Sequence, residues 1–389
     1  MRQISHIFVL LNFVANSFVS SSSHSAPYAS VLNHTSHLRD RYDYIVIGGG
    51  TSGLVVANRL TENPSITVLV IEYGYVDGQE NGTTVPGLPV PSKYLRTDTS
   101  IPQPGLNNRT SPLYTGAVVG GGTVVNGMFF ARGSAGDYDA WEQLGNPGWG
   151  WKGLLPYFRK VGLITPSYVS ILTTTALTNL SSIFPSTIHP SILAGYKAQH
   201  DLLLSLYASP DAAVAEIAWE GGNTIPLAMI RPFSRGAIEI TTTDPFHPPS
   251  IDFGTFSHPT DMLTSIASIR KLREWISSPA MQALGAVETF PGVNVSNNAE
   301  IEAAVRNAAT SSWQHPSSSC AMMKKRWGGV VDAEVRVYGV KGLRVVDASV
   351  FPMAVAGHTS SSVYAVAEKV SGCDDVVKGE NPLTCGVGC

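Results

Sequence analysis

The stretch DYIVIGGGTSGLVVANRLTENPSITVLVIEYG, Asp43 to Gly74, decides the fold. Tyr44 to Ile47 read as a short β-branched strand, the glycine turn after them opens a helical segment, and Val68–Ile71 reads as a second strand. Strand, helix and strand make a βαβ unit. Its turn spells Gly48-x-Gly50-x-x-Gly53, with a separate physical need at each glycine. Gly48 permits the tight turn, Gly50 lets a pyrophosphate approach the backbone, and Gly53 lets helix pack on strand. Thr51 and Ser52 open the helix, where free N–H groups favour an anion. Glu72 ends the second strand at the distance where an acid accepts hydrogen bonds from the ribose of an adenosine. These residues make a dinucleotide site the reading of the unit, against the alternative of a glycine turn that merely packs.

Outward from this unit, a second glycine cluster follows at Gly116–Met128, GAVVGGGTVVNGM. Gly120, Gly121 and Gly122 in a row allow backbone to lie flat against a ligand, the alternative being a flexible surface turn. The Trp-rich NPGWGWKGLLPYF then leads into a helix ending near Lys160. From about Val161 to Ala304 the texture changes to Ser/Thr-rich stretches, a strand expected over Ala237–Thr243, an extended Ser-Ile-Asp-Phe segment and a long helix around Met262–Ile276. The C-terminal stretch returns to the first grammar: Gly342–Ser349 reads as a buried strand ending in Asp347, and Ser361–Val370 as a helix. A chain that opens on a nucleotide unit and closes on further core elements completes one domain from both ends. The expected organisation is a leader over residues 1–22, a nucleotide domain begun by 40–162 and completed by 305–389, and a substrate lobe over 163–304.

The chain has 389 residues, with 43% hydrophobic and 14% charged, too long for one ordinary core and too apolar for disorder. A net charge of −3 and no basic run beyond Lys324-Lys325-Arg326 exclude the electrostatic footprint of a nucleic-acid binder. Arg2, an apolar stretch from Ile7 to about Val19, and small residues after it have the layout of a secretory leader. That stretch is broken by Asn12, Asn16 and Ser17, so no stable membrane span is expected of it. Sequons at Asn33, Asn81, Asn108, Asn179 and Asn294 agree with a secreted glycoprotein. Cys373, Cys385 and Cys389 are available to pair in a terminal loop in an oxidising compartment, with connectivity open. No CxxC pair exists, and no metal site is expected.

Two histidines stand in small-residue loops beside the terminal core elements: His315 in SSWQHPSSSCAM and His358 in AVAGHTSSS. Together with the Gly48–Gly53 fingerprint, Glu72, GAVVGGGTVVNGMFFARG, GWKGLLPYF and VVDASVFPMAVAGHTSSSVYAVAEK, they resemble the glucose-methanol-choline oxidoreductase family, in the family's order. The resemblance implies an α/β fold: an FAD-binding Rossmann-like domain completed from both chain ends, and an α+β substrate lobe containing an antiparallel sheet. It implies FAD, covalent or not, held by Gly48, Gly50, Thr51, Ser52, Gly53 and Glu72 at the ADP half. Gly121, Gly122, Asn126 and Met128 match flavin-lining positions, and Asp347 a position near the pyrophosphate and ribityl chain. His315 matches the catalytic base and His358 its active-site partner. The implied activity is oxidation of a CH–OH group of a small-molecule alcohol by His-assisted hydride transfer to the flavin, with O2 or a quinone as electron acceptor. A role in fungal secondary metabolism goes with the same resemblance. A non-redox cyclase or dehydratase of the same fold, and a degenerate homologue without activity, are its rivals. The sequence departs from the family in having Ala117 where a basic residue is usual, and in running after Lys160 almost directly into late substrate-lobe sequence.

Overall fold

The glycine unit forms where its spacing puts it. In the computed structural model, which describes residues 29–32, 34–85, 87–161, 180, 183–209, 213–217 and 226–371, β1 (Tyr44–Ile47) pairs in parallel with β2 (Val68–Ile71). The helix α1 (Thr51–Leu60) crosses between them. The described residues belong to two compact units, Met1–Tyr42 and Asp43–Cys389; in the first, a short 3-10 turn spans Thr35–His37. The leader, the sequons at Asn33 and Asn179, and Cys373, Cys385 and Cys389 lie outside the described residues.

After a one-turn helix α2 (Asn81–Thr84), β3 (Leu95–Thr99) and β4 (Pro112–Gly116) form an antiparallel ribbon. The second glycine cluster follows, with the one-turn helix α3 (Gly122–Val125), then α4 (Ala135–Gln143) and α5 (Trp151–Val161). Ser134 opens α4 with a capping box: Asp137 in the first turn reaches back to the Ser134 N–H at 2.7 Å. Next come α6 (Pro190–Ala208), the antiparallel ribbons β5 (Ala215–Ile217) with β6 (Leu227–Met229) and β7 (Ala237–Glu239) with β8 (Ser250–Asp252), and α7 (Pro259–Ile276). Short α8 (Pro279–Ala283), α9 (Asn298–Ala308) and α10 (Ser360–Ser371) complete the list.

The main core is built by α4, α5, α6 and α10 with the irregular chain of residues 322–355; Tyr138, Trp141, Phe158, Met322 and Phe351 are buried in it. A smaller cluster joins Met262, Ile266 and Ile269 of α7 to Ile301 and Val305 of α9. The first long helix meets the last: α1 packs along α10, and Arg59 of α1 grips Glu368 of α10 with two hydrogen bonds of 2.8 Å. Two sequence expectations are corrected here. Gly342–Ser349 is not a strand of the nucleotide sheet; it makes one isolated bridge, Arg336 with Arg344, because its backbone is spent on irregular partners: Val345 N–H donates to Val335 O, and Ala348 O accepts from Ser318 N–H. The expected strand Ala237–Thr243 stops at Glu239, before the Thr-rich turn. The antiparallel sheet of the substrate lobe is, among the described residues, two separate ribbons.

Candidate active site

The first half of the site is a cradle made of two glycine segments. Gly48 sits at φ +98°, and a Cβ on Gly53 would stand 2.0 Å from Gly48 O, so helix and turn touch there and only glycine fits. The second cluster folds onto the first: Gly120 N–H donates to Gly49 O at 2.7 Å, and a Cβ on Gly121 would lie 2.8 Å from Gly50 Cα. Gly50 is the N-cap of α1 and has no side chain to occupy the first N–H groups of the helix. A Cβ there would meet only Gly121 Cα, at 3.9 Å, so the face presented to a ligand is clear. Free helix N–H groups beside an unobstructed glycine backbone are what a pyrophosphate needs, and the residues present fit the ADP half of a flavin dinucleotide.

Glu72 has a second duty that the sequence did not show. Its Oε2 accepts from Gly49 N–H and its Oε1 from Gly74 N–H, each at 2.7 Å, so the carboxylate ties the turn to the end of β2. Each oxygen retains lone-pair capacity for a ribose hydroxyl. Ser52 is buried and Thr51 half-buried under the turn. Gly122 is exposed, and Asn126 turns the chain by accepting from Met128 N–H at 2.8 Å, leaving Met128 exposed at φ +65°. Asp347 is also exposed. Its carboxylate accepts from the N–H and hydroxyl of Ser349, and its segment runs beside the chain that follows His315, with Ser318 N–H on Ala348 O and Cys320 N–H on Ser349 O.

The second half is the histidine pair, and the structure brings it together. His315 and His358 stand edge to face with ring centroids 5.0 Å apart. Phe129 stacks on His358 at 4.3 Å and 5°, and Trp313 packs on Phe129 and both imidazoles. Phe129 lies only eight positions beyond Gly121, a reach of at most ~28 Å, so one segment joins the cradle to the histidines. His315 follows three residues, Ser312, Trp313 and Gln314, all in the left-handed region. That unfavourable turn is fixed by the Gln314 amide, which accepts from Tyr114 N–H at 2.6 Å and donates to Pro112 O at 3.3 Å on the edge of β4.

His358 is placed by a clamp. Trp141 Nε1 donates to Met353 O at 3.1 Å, Ala356 N–H to Asp137 at 3.2 Å, Ser361 Oγ to Ala131 O, and Tyr138 OH pairs with Ser362 Oγ at 2.8 Å. The loop bearing His358 is therefore laid along residues 131–141 from both sides. A residue that no motif announced completes the group: Glu216 of β5 brings Oε1 to 3.2 Å from His358 Nε2, a close contact without a hydrogen bond. Nothing in its local sequence, AEIAW, separates it from any other strand glutamate. Burial and the neighbouring His358 hold His315 below the ordinary histidine range, against the opposing pull of Glu216. A neutral imidazole at neutral pH, facing a second imidazole and a carboxylate, can accept a proton from a bound hydroxyl. Among the described residues no group of three or more His, Cys, Asp or Glu is placed to hold a metal ion, and no helix is long and apolar enough to cross a membrane.

With this geometry in place, comparison with known proteins is specific. Residues 42–202 and 232–367 match the N- and C-terminal family models described as GMC oxidoreductase. The dehydrogenase xptC of Emericella nidulans is 25% identical, with 91% of this chain and 96% of that protein covered. That alignment runs over 597 positions, so long gaps open opposite this 389-residue chain. An FAD-dependent oxidoreductase from Chaetomium thermophilum superposes with a TM-score of 0.79 at 25% identity, covering 87% of this chain and 99% of that one. A fungal aryl-alcohol oxidase superposes at 0.76 and 23% identity, with 88% and 100% covered.

Proposed function

The chain belongs to the GMC oxidoreductase family, and on that premise we propose that it oxidises the CH–OH group of a small organic alcohol, with His315 as general base. FAD is its cofactor, held by the Gly48–Gly53 turn, Glu72 and the Gly120–Gly122 segment. When bound, the flavin supplies the two-electron sink. The chain's own residues do the rest. His315 takes the hydroxyl proton, His358 orients the same oxygen, and Phe129 and Trp313 wall the pair with apolar surface that excludes water. The observation that carries the reading is the edge-to-face histidine pair at 5.0 Å, built on the segment that also forms the cofactor cradle.

A fungal natural-product alcohol as substrate is supported by the fungal relatives above, and O2 or a quinone as acceptor by the family. A secretory route is supported by the leader sequence and by the exposure of the sequon residues Asn81, Asn108 and Asn294. The test is anaerobic mixing of purified holoprotein with a panel of alcohols. Loss of the oxidised-flavin absorbance with one or more of them is expected. A flavin band that no alcohol bleaches, with a product nevertheless formed, would reject oxidation in favour of non-redox chemistry.

A further inference from the structure

We propose that the buried ion pair Asp137–Arg231 is a positioning device for the active site, fixing the ribbon that carries Glu216 against the loop that carries His358. The inference rests on the assignment of His315 and His358 above. Asp137 and Arg231 are 2% and 1% exposed, and Arg231 Nη2 lies 2.8 Å from Asp137 Oδ1. Both touch Ser134, whose hydroxyl accepts from Arg231 Nη2 at 3.0 Å; beyond that shared contact they are held by different elements. Asp137 Oδ2 accepts from Ala356 N–H, two residues before His358, and from the Ser134 N–H and hydroxyl. Arg231 follows directly on the β5–β6 ribbon: Ile230 N–H donates to Val214 O at 3.1 Å, and Glu216 lies in register with Ala228. The Arg231 carbonyl is held by Tyr207 OH at 2.9 Å, so α6 anchors the same residue.

The pair is a poor device for stability. Burial pushes the Asp137 carboxyl up and the Arg231 guanidinium down, each opposed by the other. Arg231 Nε and Nη1 have no hydrogen-bond partner among the described residues. A buried pair left partly unsatisfied contributes less than apolar side chains of similar volume would. What it does supply is a fixed separation. Ala356 and His358 stand on its acidic side and the Glu216 ribbon on its basic side, and the 3.2 Å contact between Glu216 and His358 is where the two meet again.

The experiment compares wild type with Asp137→Asn/Arg231→Met, which removes both charges while keeping an oxygen for Ala356 N–H, and with Arg231→Lys, which keeps the charge but gives up the planar fork. Three quantities are read: melting temperature, the rate of flavin reduction by a working alcohol, and the titration of the His315 imidazole by NMR in the holoprotein. The groups facing His315 are His358 and Glu216, and the Glu216 anion raises its pKa. The expected result for the double variant is a cooperative melt near wild type, a reduction rate down ~10- to 100-fold, the loss that ~1 Å of misplacement costs, and a His315 titration displaced further to acid. Arg231→Lys is expected to fold and to show the same displacement in smaller degree. Wild-type rate and wild-type His315 titration in a folded double variant would overturn the proposal. If that variant does not fold, an unchanged rate and titration in Arg231→Lys would overturn it. If no alcohol reduces the wild-type flavin, the proposed function fails, and the His315 titration still decides the positioning role.

Discussion

Acid should destabilise this protein through one residue in particular, His258. It is fully buried at the N-cap of α7, where Nδ1 accepts from Thr260 N–H at 3.2 Å. Its proton in the neutral form is therefore on Nε2, which has no hydrogen-bond partner among the described residues. Phe233 lies against the ring at 5.1 Å and His200 at 5.9 Å. Burial first, then His200 and Arg235, push the His258 pKa down to about 4. In the unfolded chain the value is about 6.5. The stability owed to keeping His258 neutral is fully present above about pH 6.5, falls as the unfolded chain alone takes up a proton, and falls no further below about pH 4. At 1.36 kcal/mol per pKa unit the total loss is about 3 kcal/mol. His200, also lowered by burial and only partly supported by Asp201, adds in the same direction. The assay is urea unfolding of wild type and His258→Asn at intervals from about pH 7.5 to about pH 4. Asparagine retains an oxygen for the Thr260 N–H, and carboxylate titrations common to both proteins cancel in the difference. The wild type should lose about 3 kcal/mol more than the variant between those limits. Stability curves that run parallel in pH would show that His258 is not held neutral by the core.

Four other outcomes are expected. Gly50→Val should purify with far less flavin, because the side chain occupies the open face of the cradle, while Gly53→Ala should also lower the melting temperature, since its Cβ meets Gly48 O at 2.0 Å. His315→Ala should slow flavin reduction ~10²–10⁴-fold with flavin still bound, and His358→Asn by less, since an amide can still donate to the substrate oxygen. In wild type the reduction rate should rise with pH to a plateau through an apparent pKa below that of ordinary histidine, and Glu216→Gln should move that limb further to acid; a limb unmoved by the substitution would exclude Glu216 from the electrostatics of the base. Expression in a eukaryotic host should place glycans on Asn81 or Asn108, both exposed, as read by the mass shift on deglycosylation.

The parts of this fold that could be read from sequence are those governed by local rules. β1, α1 and β2 lie where alternation and glycine spacing put them, and α5, α7 and α10 where helical periodicity did. Gly342–Ser349 had the β-branched run of a strand, but a strand needs a neighbour with a free edge, and its backbone found irregular partners instead. The histidines could be named because each stood in a recognisable motif. Glu216 and the pair Asp137–Arg231 could not, since what makes them functional is a separation set by tertiary contacts between elements far apart in the chain. Glu72 was legible in type and position, but its two backbone hydrogen bonds depend on where Gly74 goes after the strand ends.

The two halves of the site are supported unequally. Parallel sheets are ordinarily covered on both faces, and a pair of strands alone is marginal in water. Among the described residues β1 and β2 pair only with each other, and Ile45, Ile47 and Ile71 on one face are 59%, 83% and 42% exposed. The cradle is held instead from the side: by α10 through Arg59 and Glu368, by Glu72 across the turn, and by the bridge of Tyr75 to Val118. The histidine pair needs none of those strands. Its clamp runs from residues 131–141 to residues 353–362 inside the main core, where Tyr138, Trp141 and Phe351 are buried. The proposed acid–base pair therefore stands on the main core, while the cofactor cradle stands on a two-stranded pair with an exposed apolar face.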